Sequence, residues 1–516
     1  MLFEDKKENK DWQIAIHNKN QFEIRLDYHV NPHNEQSKYK VDLYYFLPNS
    51  FQINELSYTK IDFYRDLQVY IRFKTVKMSI QELLDSDNTI SPFNVAESLI
   101  EELHKNNNDT LIIKKLNHEF KMIANIAITY FEDELKSIIS KMNEVLSKGK
   151  NSLNLTIHLE KLIVEIKEFN DALDNKYSFL KSLNLPEISE LTFQQVIEYL
   201  SLNIQRLTTF ILQKLDENPE IANNSSLRKQ FRRAIKHERF RRLNLGFKTI
   251  LHQGEENEYF TYHYSILKKY ISHSLYLTAR QEKTSKVKNE AVNATAAGLA
   301  MLIALIFTYY ADFYFDQFTL PFILLIVFGY MIKDRIKDWG KFLFGSFFFP
   351  RNIDHKSKIF DIEGVMIGSS TERMKYIKIE DLPDEIVNLR HDNKYKQVEI
   401  ESKPQKIIQY QKEITLYPKS IIEHHKRVLD ASDIMRFNIS NFLPGIEDPY
   451  DYYNWFNIET EKIEQIKAAR IYHLNIIIVL KTIKPNGEEI GQHHRVRLVL
   501  DKNGIKRIEI PSLKNK

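Results

Sequence analysis

The densest cluster of charged side chains in this sequence is a basic segment near the middle of the chain. Residues 228–242 read RKQFRRAIKHERFRR, with eight Lys or Arg in fifteen residues and a single acid, Glu238. The cations are Arg228, Lys229, Arg232, Arg233, Lys236, Arg239, Arg241 and Arg242. Such a cluster attracts anions, either lipid headgroups or nucleic acid phosphates.

On a helix this segment has two sides, because cations recur at Arg228, Arg232 and Lys236 while Leu227 and Phe231 recur on another side. Three interpretations stay open. The helix lies along the anionic inner leaflet of a membrane, where each basic residue contributes about 1 kcal/mol. It binds nucleic acid. Or it is a solvated, salt-bridged face of a helical bundle. The membrane features of the chain favour the first and the third.

A second candidate is the acidic, aromatic segment Gly445–Phe456, GIEDPYDYYNWF. Glu447, Asp448 and Asp451 could form an acid/base pair or hold a divalent cation, which would make the C-terminal part a hydrolase or transferase. The alternative is a turn, because Asp-Pro neighbours form loops and the aromatic residues would pack at its base. The turn chemistry favours this second interpretation.

Other catalytic signatures are absent from the sequence. Its adjacent histidines, His424–His425 and His493–His494, would point to opposite faces of a strand, which is unsuited to one metal ion. There is no cysteine, so disulfides, thiol nucleophiles and thiolate zinc sites are excluded. No dinucleotide, Walker, GxSxG or HExxH motif occurs. We therefore expect no catalytic residue, no metal and no cofactor.

The element that positions these segments is an apolar stretch late in the chain. Ala291–Ala311 contains no charged residue, and Phe318–Ile332 is almost entirely apolar. At about 1.5 Å per residue the first run reaches about 31 Å, enough for a bilayer core, and the second about 22 Å. Backbone groups in lipid must pair internally, so the pattern predicts a two-helix transmembrane hairpin. The alternative is a buried helical pair in a soluble core.

The charges around the hairpin predict its orientation. Its connecting turn carries only Asp312 and Asp316, whereas both outer flanks are basic, with Lys283, Lys286, Lys288, Lys333, Arg335, Lys337 and Lys341. Because Lys and Arg resist translocation, both ends of the chain should be cytoplasmic and the turn external. We expect a multi-pass protein of the inner (cytoplasmic) membrane with the lipid bilayer as its partner.

Small residues repeat along the first apolar run, at Ala296, Ala300 and Ala304. This spacing lets another helix approach closely. We expect packing against the second helix of the same hairpin, and a homo-oligomer formed through the hairpin or the helical stalk is the alternative.

The remaining chain divides into three soluble segments. In 1–105, Phe22–Val30 and Tyr39–Leu47 alternate with period two and predict an antiparallel pair, and Ile61–Phe73 reads as a helix. Residues 106–290 carry long helical periods and predict a bundle or stalk.

The segment 334–516 is strand-like after the hairpin at 291–333. Strands are predicted at Ile407–Leu416 and Gln397–Glu401, and the stretch from Tyr472 to Ile510 predicts a three-stranded meander with KPNG and DKNG turns. The fold class is thus a multidomain α+β membrane protein: an N-terminal α+β head, a long-helix bundle or stalk, a two-helix transmembrane hairpin and a C-terminal β-rich, sandwich-like domain.

The N-terminal string KVDLYYFLPNSFQIN, followed by FYRDLQVYIRFKT and joined to a late hairpin, resembles bacterial two-span inner-membrane proteins. The resemblance implies no activity, cofactor or site residue. We expect a membrane-anchored, cytoplasm-facing scaffold or sensor without catalytic activity. The alternatives are a membrane-tethered effector that binds nucleic acid through residues 228–242, and the hydrolase or transferase described above.

Overall fold

Strands with alternating buried and exposed residues form much of the molecule. The structure is a computed structural model that describes residues 7–8, 11–105, 109–148, 153–183, 185–218, 225–282, 284–317, 319–348, 353–390, 406–425, 427, 430–485 and 487–511. Its strands are β1 (Lys7–Glu8), β2 (Trp12–Asn18), β3 (Gln21–Tyr28), β4 (Ser37–Leu47), β5 (Leu67–Phe73), β6 (Thr278–Gln281), β7 (His355–Phe360), β8 (Met366–Ile377), β9 (Lys406–Leu416), β10 (Ala431–Asn438), β11 (Tyr450–Asn457), β12 (Lys462–Ala469), β13 (Tyr472–Ile483), β14 (Glu489–Asp501) and β15 (Gly504–Glu509).

Within these residues the strands form three sheets. The largest has the order β15-β14-β13-β4-β9-β8-β7-β6, the second has the order β1-β2-β3-β10-β5, and β11 and β12 form a separate pair. Adjacent strands are antiparallel wherever their register is defined. The two larger sheets face each other as in a sandwich, with the Tyr45 and Phe437 rings stacked 5.2 Å apart and fully buried.

The helices are α1 (Lys60–Asp66), α2 (Ile80–Leu84), α3 (Pro92–Lys105), α4 (Thr110–Lys148), α5 (Leu153–Ser182), α6 (Glu187–Glu217), α7 (Ser225–Asn244), α8 (Glu258–Ser272), α9 (Thr284–Tyr314), α10 (Leu320–Phe348), α11 (Asp384–Arg390) and α12 (Pro418–His424). The predicted long helices before the hairpin are confirmed. In α6 the run from Val196 to Leu202 is buried at every position, as expected of a helix surrounded by neighbours. Its neighbours are α4, α5, α7 and α8.

By its internal contacts the chain divides into two units. The β unit comprises Met1–Ile71, Leu277–Ile421 and Ala431–Lys516, and the helical unit comprises Arg72–Tyr276 and Ile422–Asp430. The chain is therefore a multidomain α+β protein with N-terminal strands, a helical region and a β-rich C-terminal part. The division differs from the four predicted segments, because β4 from the N-terminal part pairs with β9 and β13 from the C-terminal part.

The predicted membrane hairpin corresponds to α9 and α10, which pack along each other. Within the described chain, one helix is long and apolar enough to cross a membrane, Asn293–Tyr314 in α9, with a mean hydropathy of 1.8. α10 does not meet the same test of length and composition, because charged residues follow its short apolar run. By this criterion the structure supports one spanning helix and not the predicted two.

Three local predictions were wrong. β3 and β4 are strands, but β3 pairs with β2 and β10 and β4 with β9 and β13, so they do not pair with each other. The stretch Ile61–Phe73 is helical only through Asp66, after which Leu67 turns extended and β5 begins. In the acidic, aromatic segment Gly445–Phe456, which was predicted to be a turn, the strand β11 begins at Tyr450.

The terminal meander, by contrast, is confirmed as β13, β14 and β15. The predicted strand at Gln397–Glu401 lies outside the described residues.

Candidate anion-binding face

The basic segment forms the twenty-residue helix α7. Arg, Lys, Ala and Glu are all good helix formers, which suits this sequence to a helix. One side of α7 is buried against the bundle through Leu227, Phe231 and Glu238. The spacing of four and seven residues places these three on one face.

The eight predicted cations do not share one environment. Arg241 and Arg242 are buried, although the sequence grouped them with the others. Arg241 donates to Glu238 at 3.3 Å, to the Asn170 side chain at 2.8 Å and to Asp174 at 2.8 Å. These two arginines therefore belong to the interior of the bundle, where internal groups accept hydrogen bonds from their terminal nitrogens.

The carboxylate of Glu238 is the centre of this interior network. The side-chain amide of Asn170 donates to this carboxylate at 2.6 Å, and the side chain of Glu238 is fully buried. Burial raises the pKa of Glu238, but the interaction with the His237 imidazole, 3.7 Å away, and the charge of Arg241 outweigh burial, so the net pKa lies below the ordinary value. The same interaction raises the pKa of His237. Glu238 is thus ionised and paired inside the bundle.

Arg242 and Arg228 each attach α7 to α6. Arg242 donates to the Ser201 hydroxyl at 2.8 Å. Arg228 donates to the carbonyl of Leu215 at 2.7 Å and lies 3.4 Å from the carboxylate of Asp216. The last carbonyls of a helix lack intrahelical partners and carry negative partial charge, so Arg228 stabilises the end of α6.

The other five cations remain on the solvent side of α7. We call this set the basic face: Lys229, Arg232, Arg233, Lys236 and Arg239, all exposed. Arg232 lies 3.8 Å from Asp216, whereas the other four make no ion pair within the described part of the chain. Phe240 and Leu243 continue the same side and are 60% and 48% exposed. An exposed stripe of cations bordered by apolar side chains suits an anionic surface with an apolar interior.

The carboxylates of the acidic, aromatic segment form ion pairs near the base of the β11–β12 pair. Asp451 lies 2.7 Å from Arg470, which also contacts Glu447. Asp448 lies 2.7 Å from Lys502 and is 80% exposed. Hydrogen bonds from these cations hold the pKa values of Asp448 and Asp451 below the ordinary value. Ionised, exposed and paired carboxylates favour a structural role over general acid catalysis.

The histidine pairs are likewise dispersed. His494 stacks on Trp12, with ring centroids 4.7 Å apart, and His493 lies 3.4 Å from Glu385. Among the residues that the structure describes, no group of three or more His, Asp or Glu side chains could hold a metal ion.

A buried charge cluster in the β unit was missed by the sequence analysis. Lys412 on β9 lies 2.7 Å from Asp433 on β10 and 3.8 Å from Glu372, and Tyr28 donates to Asp433 at 3.2 Å. Lys412 and Asp433 are almost completely inaccessible. Position 412 falls on the apolar face of a strand whose residues alternate between buried and exposed. A lysine at such a position was the sequence signal that could have indicated a buried charge. Because Lys412 and Glu372 lie in the largest sheet and Asp433 lies in the second, the ion pair of Lys412 with Asp433 connects the two larger sheets.

The alanines of the predicted packing stripe are placed on α9. Ala296, Ala300 and Ala304 are all buried, as is Ala311 further along the same side. The helices approach closely at Gly329 of α10, where an added Cβ would lie 2.7 Å from the Cβ of Phe307.

Comparison with protein-family profiles, curated proteins and solved structures gives no significant match.

Proposed function

We propose that this protein is a membrane-anchored, cytoplasm-facing scaffold or sensor without catalytic activity. The hairpin of α9 and α10 crosses the inner membrane twice, and the basic face of α7 contacts the anionic inner leaflet. The observation that carries the proposal is the exposed apolar surface of two helices whose flanking strands are hydrogen-bonded neighbours.

The hairpin surface supports a lipid environment. Only 22% of the most apolar stretch of α9 is buried, whereas the core helix of a soluble protein would be mostly buried. Large exposed apolar side chains continue along both helices: Leu299, Met301, Leu302, Leu305, Ile306, Leu320, Ile323, Leu324, Val327, Phe328 and Met331. A contiguous apolar surface of this kind requires a cover, and hydrocarbon tails supply one along the whole length.

The strands on either side of the hairpin support an even number of crossings. β6 ends at Gln281 and α9 begins at Thr284, and on the other side α10 ends at Phe348 and β7 begins at His355. These strands pair antiparallel, with Gln281 opposite Ser357, and the Glu282 N–H donates to the Lys356 carbonyl at 2.8 Å. A single crossing would place paired neighbours on opposite sides of the membrane. Two crossings keep them together.

The second crossing needs an adaptation, because the apolar run Leu320–Ile332 of α10 rises about 20 Å, short of a core about 30 Å thick. Local thinning of the bilayer accommodates such a difference, as do flanking Lys and Arg side chains that reach the interface. Lys333 and Arg335 directly follow the run.

The cysteine-free chain allows a direct test of the crossings. Single cysteines are introduced as Leu56→Cys before the hairpin, Asp316→Cys in its turn and Glu363→Cys after it, all at exposed positions. A membrane-impermeant maleimide is then applied to intact and to permeabilised spheroplasts. We expect labelling of the Asp316 variant in intact spheroplasts and of the other two only after permeabilisation. External labelling of both the Asp316 and the Glu363 variants would mean one crossing. External labelling of the Leu56 and Glu363 variants without the Asp316 variant would mean an inverted hairpin, and labelling of all three only after permeabilisation would mean no crossing.

The leaflet contact of the basic face rests on charge and exposure. Each cation near an anionic surface contributes about 1 kcal/mol, so the five act together. Phe240 and Leu243 would add apolar contact at the interface.

The test uses the full chain in nanodiscs of phosphatidylcholine with or without phosphatidylserine. The acylation rates of Lys229 and Lys236 are measured by mass spectrometry, with the exposed Lys114 of α4 as the internal reference. We expect Lys229 and Lys236 to react several-fold more slowly with phosphatidylserine present, and the protection to disappear in the combined variant Arg232→Gln, Arg233→Gln. Protection by single-stranded RNA or duplex DNA in neutral nanodiscs would instead assign the face to nucleic acid. Equal rates under all conditions would make it a solvated face.

The hydrolase or transferase alternative lacks a comparable observation. Its carboxylates Asp448 and Asp451 face separate cations, Lys502 and Arg470, and are exposed.

A further inference from the structure

The β11–β12 pair, which we call the aromatic hairpin, exposes large apolar side chains on both of its faces. Those side chains are Tyr450, Tyr452, Tyr453, Trp455, Phe456, Ile463 and Ile466, each between 42% and 76% exposed. A lone two-stranded hairpin is marginally stable in water. So much exposed apolar surface marks an interaction site.

The two outer edges of the aromatic hairpin differ. The β12 sequence KIEQIKAA carries Lys462, Glu464 and Lys467, the kind of charges that discourage further strand pairing. The β11 sequence YDYYNWFN has one charged residue, Asp451, which lies 2.7 Å from Arg470. It contains no Lys, Arg or Pro and is rich in residues that favour strands. The β11 edge is therefore left open to pairing.

A backbone contact shows which positions face that edge. The Tyr452 N–H donates to the Asp451 carboxylate at 3.1 Å. Backbone groups alternate between the two sides of a strand, so Tyr452, Asn454 and Phe456 direct theirs away from β12. The Asp451 carboxylate stands where a neighbouring strand would provide a carbonyl.

We propose that the open edge of β11 pairs with β11 of a second copy of this chain, antiparallel and centred on Asn454. This register places Tyr452 opposite Phe456 of the second copy, and Tyr453 opposite its Trp455. Symmetry repeats both pairs, so aromatic cross-strand contacts form on both faces of a four-stranded sheet, each pair contributing about 0.2–1 kcal/mol. Sliding one strand by one residue in either direction leaves only two aromatic contacts in place of these four. The interface is isologous, as in most dimers.

The charges of the aromatic hairpin favour this occupant over an anionic membrane surface. Between Tyr450 and Ala469 there are four acids, Asp451, Glu459, Glu461 and Glu464, and two bases, Lys462 and Lys467. The acidic tip at 459–461 would be repelled by anionic lipid. In the antiparallel register the two tips lie at opposite ends of the new sheet, so they do not repel each other.

Disulfide trapping tests the register in the full chain in native membranes. Opposed residues of a hydrogen-bonded pair have Cα atoms about 5.5 Å apart, within the range that a disulfide spans. We expect Asn454→Cys to give a cross-linked dimer on mild oxidation. The matched control is Gln465→Cys, because Gln465 lies directly opposite Asn454 on β12 and is equally exposed. Equal cross-linking of the two variants, or none in either while both react with maleimide, would overturn the proposal.

A second variant tests the edge without a cross-linker. Asn454→Pro removes one outward N–H while the ladder to β12 is retained, and proline is tolerated at strand edges. We expect native mass spectrometry of the detergent-solubilised chain to show loss of the dimer for Asn454→Pro and its retention for Asn454→Ala. A dimer that survives Asn454→Pro contradicts the edge contact. In a background that carries Trp12→Phe and Trp339→Phe, a monomeric Asn454→Ala protein whose Trp455 emission shifts to the blue with lipid would assign the aromatic hairpin to the bilayer.

Discussion

At the scale of single residues, the basic helix separates cations that build the fold from cations that are free to bind. Arg241 and Arg242 point into the bundle and donate hydrogen bonds there, while Lys229, Arg233, Lys236 and Arg239 face solvent. A count of charges along the sequence could not make this distinction, because it depends on Asn170 and Glu238 meeting across two helices.

The interior pair gives a first prediction. Arg241→Met leaves the buried carboxylate of Glu238 without its cation, and removal of one partner of a buried pair costs about 3–5 kcal/mol. We expect reduced hydrogen-exchange protection of the α5 and α7 amides in the full chain. Arg239→Met changes an exposed cation of the same helix and should alter the free energy of opening by about 0.5 kcal/mol or less. Equal effects of the two substitutions would contradict the assignment of Arg241 to the interior.

Glu238 and His237 give a second prediction, about pH. The lowered pKa of Glu238 contributes stability that is present above its unfolded value of about 4.3 and is lost as the pH falls through the folded value. The raised pKa of His237 contributes stability that is present below about 6.5 and is lost as the pH rises through the folded value.

We therefore expect exchange protection of α7, corrected for intrinsic rates, to be greatest between these two limits. Glu238→Gln should abolish the acid dependence, and His237→Asn the neutral-to-alkaline dependence. Profiles that match the wild type in both variants would show that other groups control the stability of α7.

At the scale of elements, α9 and α10 pack closely where Gly329 faces Phe307. Gly329→Ala adds a Cβ 2.7 Å from the Cβ of Phe307, so the helices must separate, and overpacking of this kind costs about 1–3 kcal/mol. Gly298→Ala is the matched control, because an added Cβ there meets nothing within 4 Å. We expect a lower melting temperature of the detergent-solubilised chain for Gly329→Ala alone. A melting temperature unchanged by Gly329→Ala would contradict the close approach.

The long helices and the terminal meander could be predicted because their signals are local. Apolar residues recur with the helical period in α4, α5 and α6, and short turns join β13, β14 and β15. Predictions from the local pattern were wrong where pairing with a strand distant in the sequence determines the structure. Residues Leu67–Phe73 extend as β5 beside β10, and β3 prefers β10, some four hundred residues away, over the nearby β4.

The candidate site was predictable only in part. The position of α7 and its two sides followed from the sequence, but its division into buried and exposed cations did not. The aromatic residues of β11 were expected to pack beneath a turn. A pattern of aromatic residues at successive positions does not reveal that both faces of the strand are open.

At the scale of the whole molecule, the helices α9 and α10 interrupt the largest sheet between β6 and β7. The chain leaves the largest sheet after β6, forms α9 and α10, and returns to the sheet as the paired strand β7. Because β6 and β7 are hydrogen-bonded neighbours, the two helices leave and rejoin the sheet at adjacent strands.

The exposed apolar side of α9 gives a prediction at this scale. Leu305→Arg places a cation on an exposed, apolar position near the middle of the span, at a cost of about 2.5–3.5 kcal/mol for insertion. We expect a smaller membrane-integrated fraction in a protease-protection assay of the turn. Leu251→Arg changes a comparably exposed leucine of the helical unit and should leave that fraction unchanged. Equal loss in both variants would point to a general folding defect.

The central claim, that lipid covers α9 and α10, is tested most directly by fractionation of cells that produce the full chain. Membranes are collected without detergent and washed with alkaline carbonate, which removes peripheral proteins. We predict that the chain remains in the washed pellet and is released only by detergent. Recovery of the chain in the first supernatant, or its release by carbonate, would contradict the membrane hairpin.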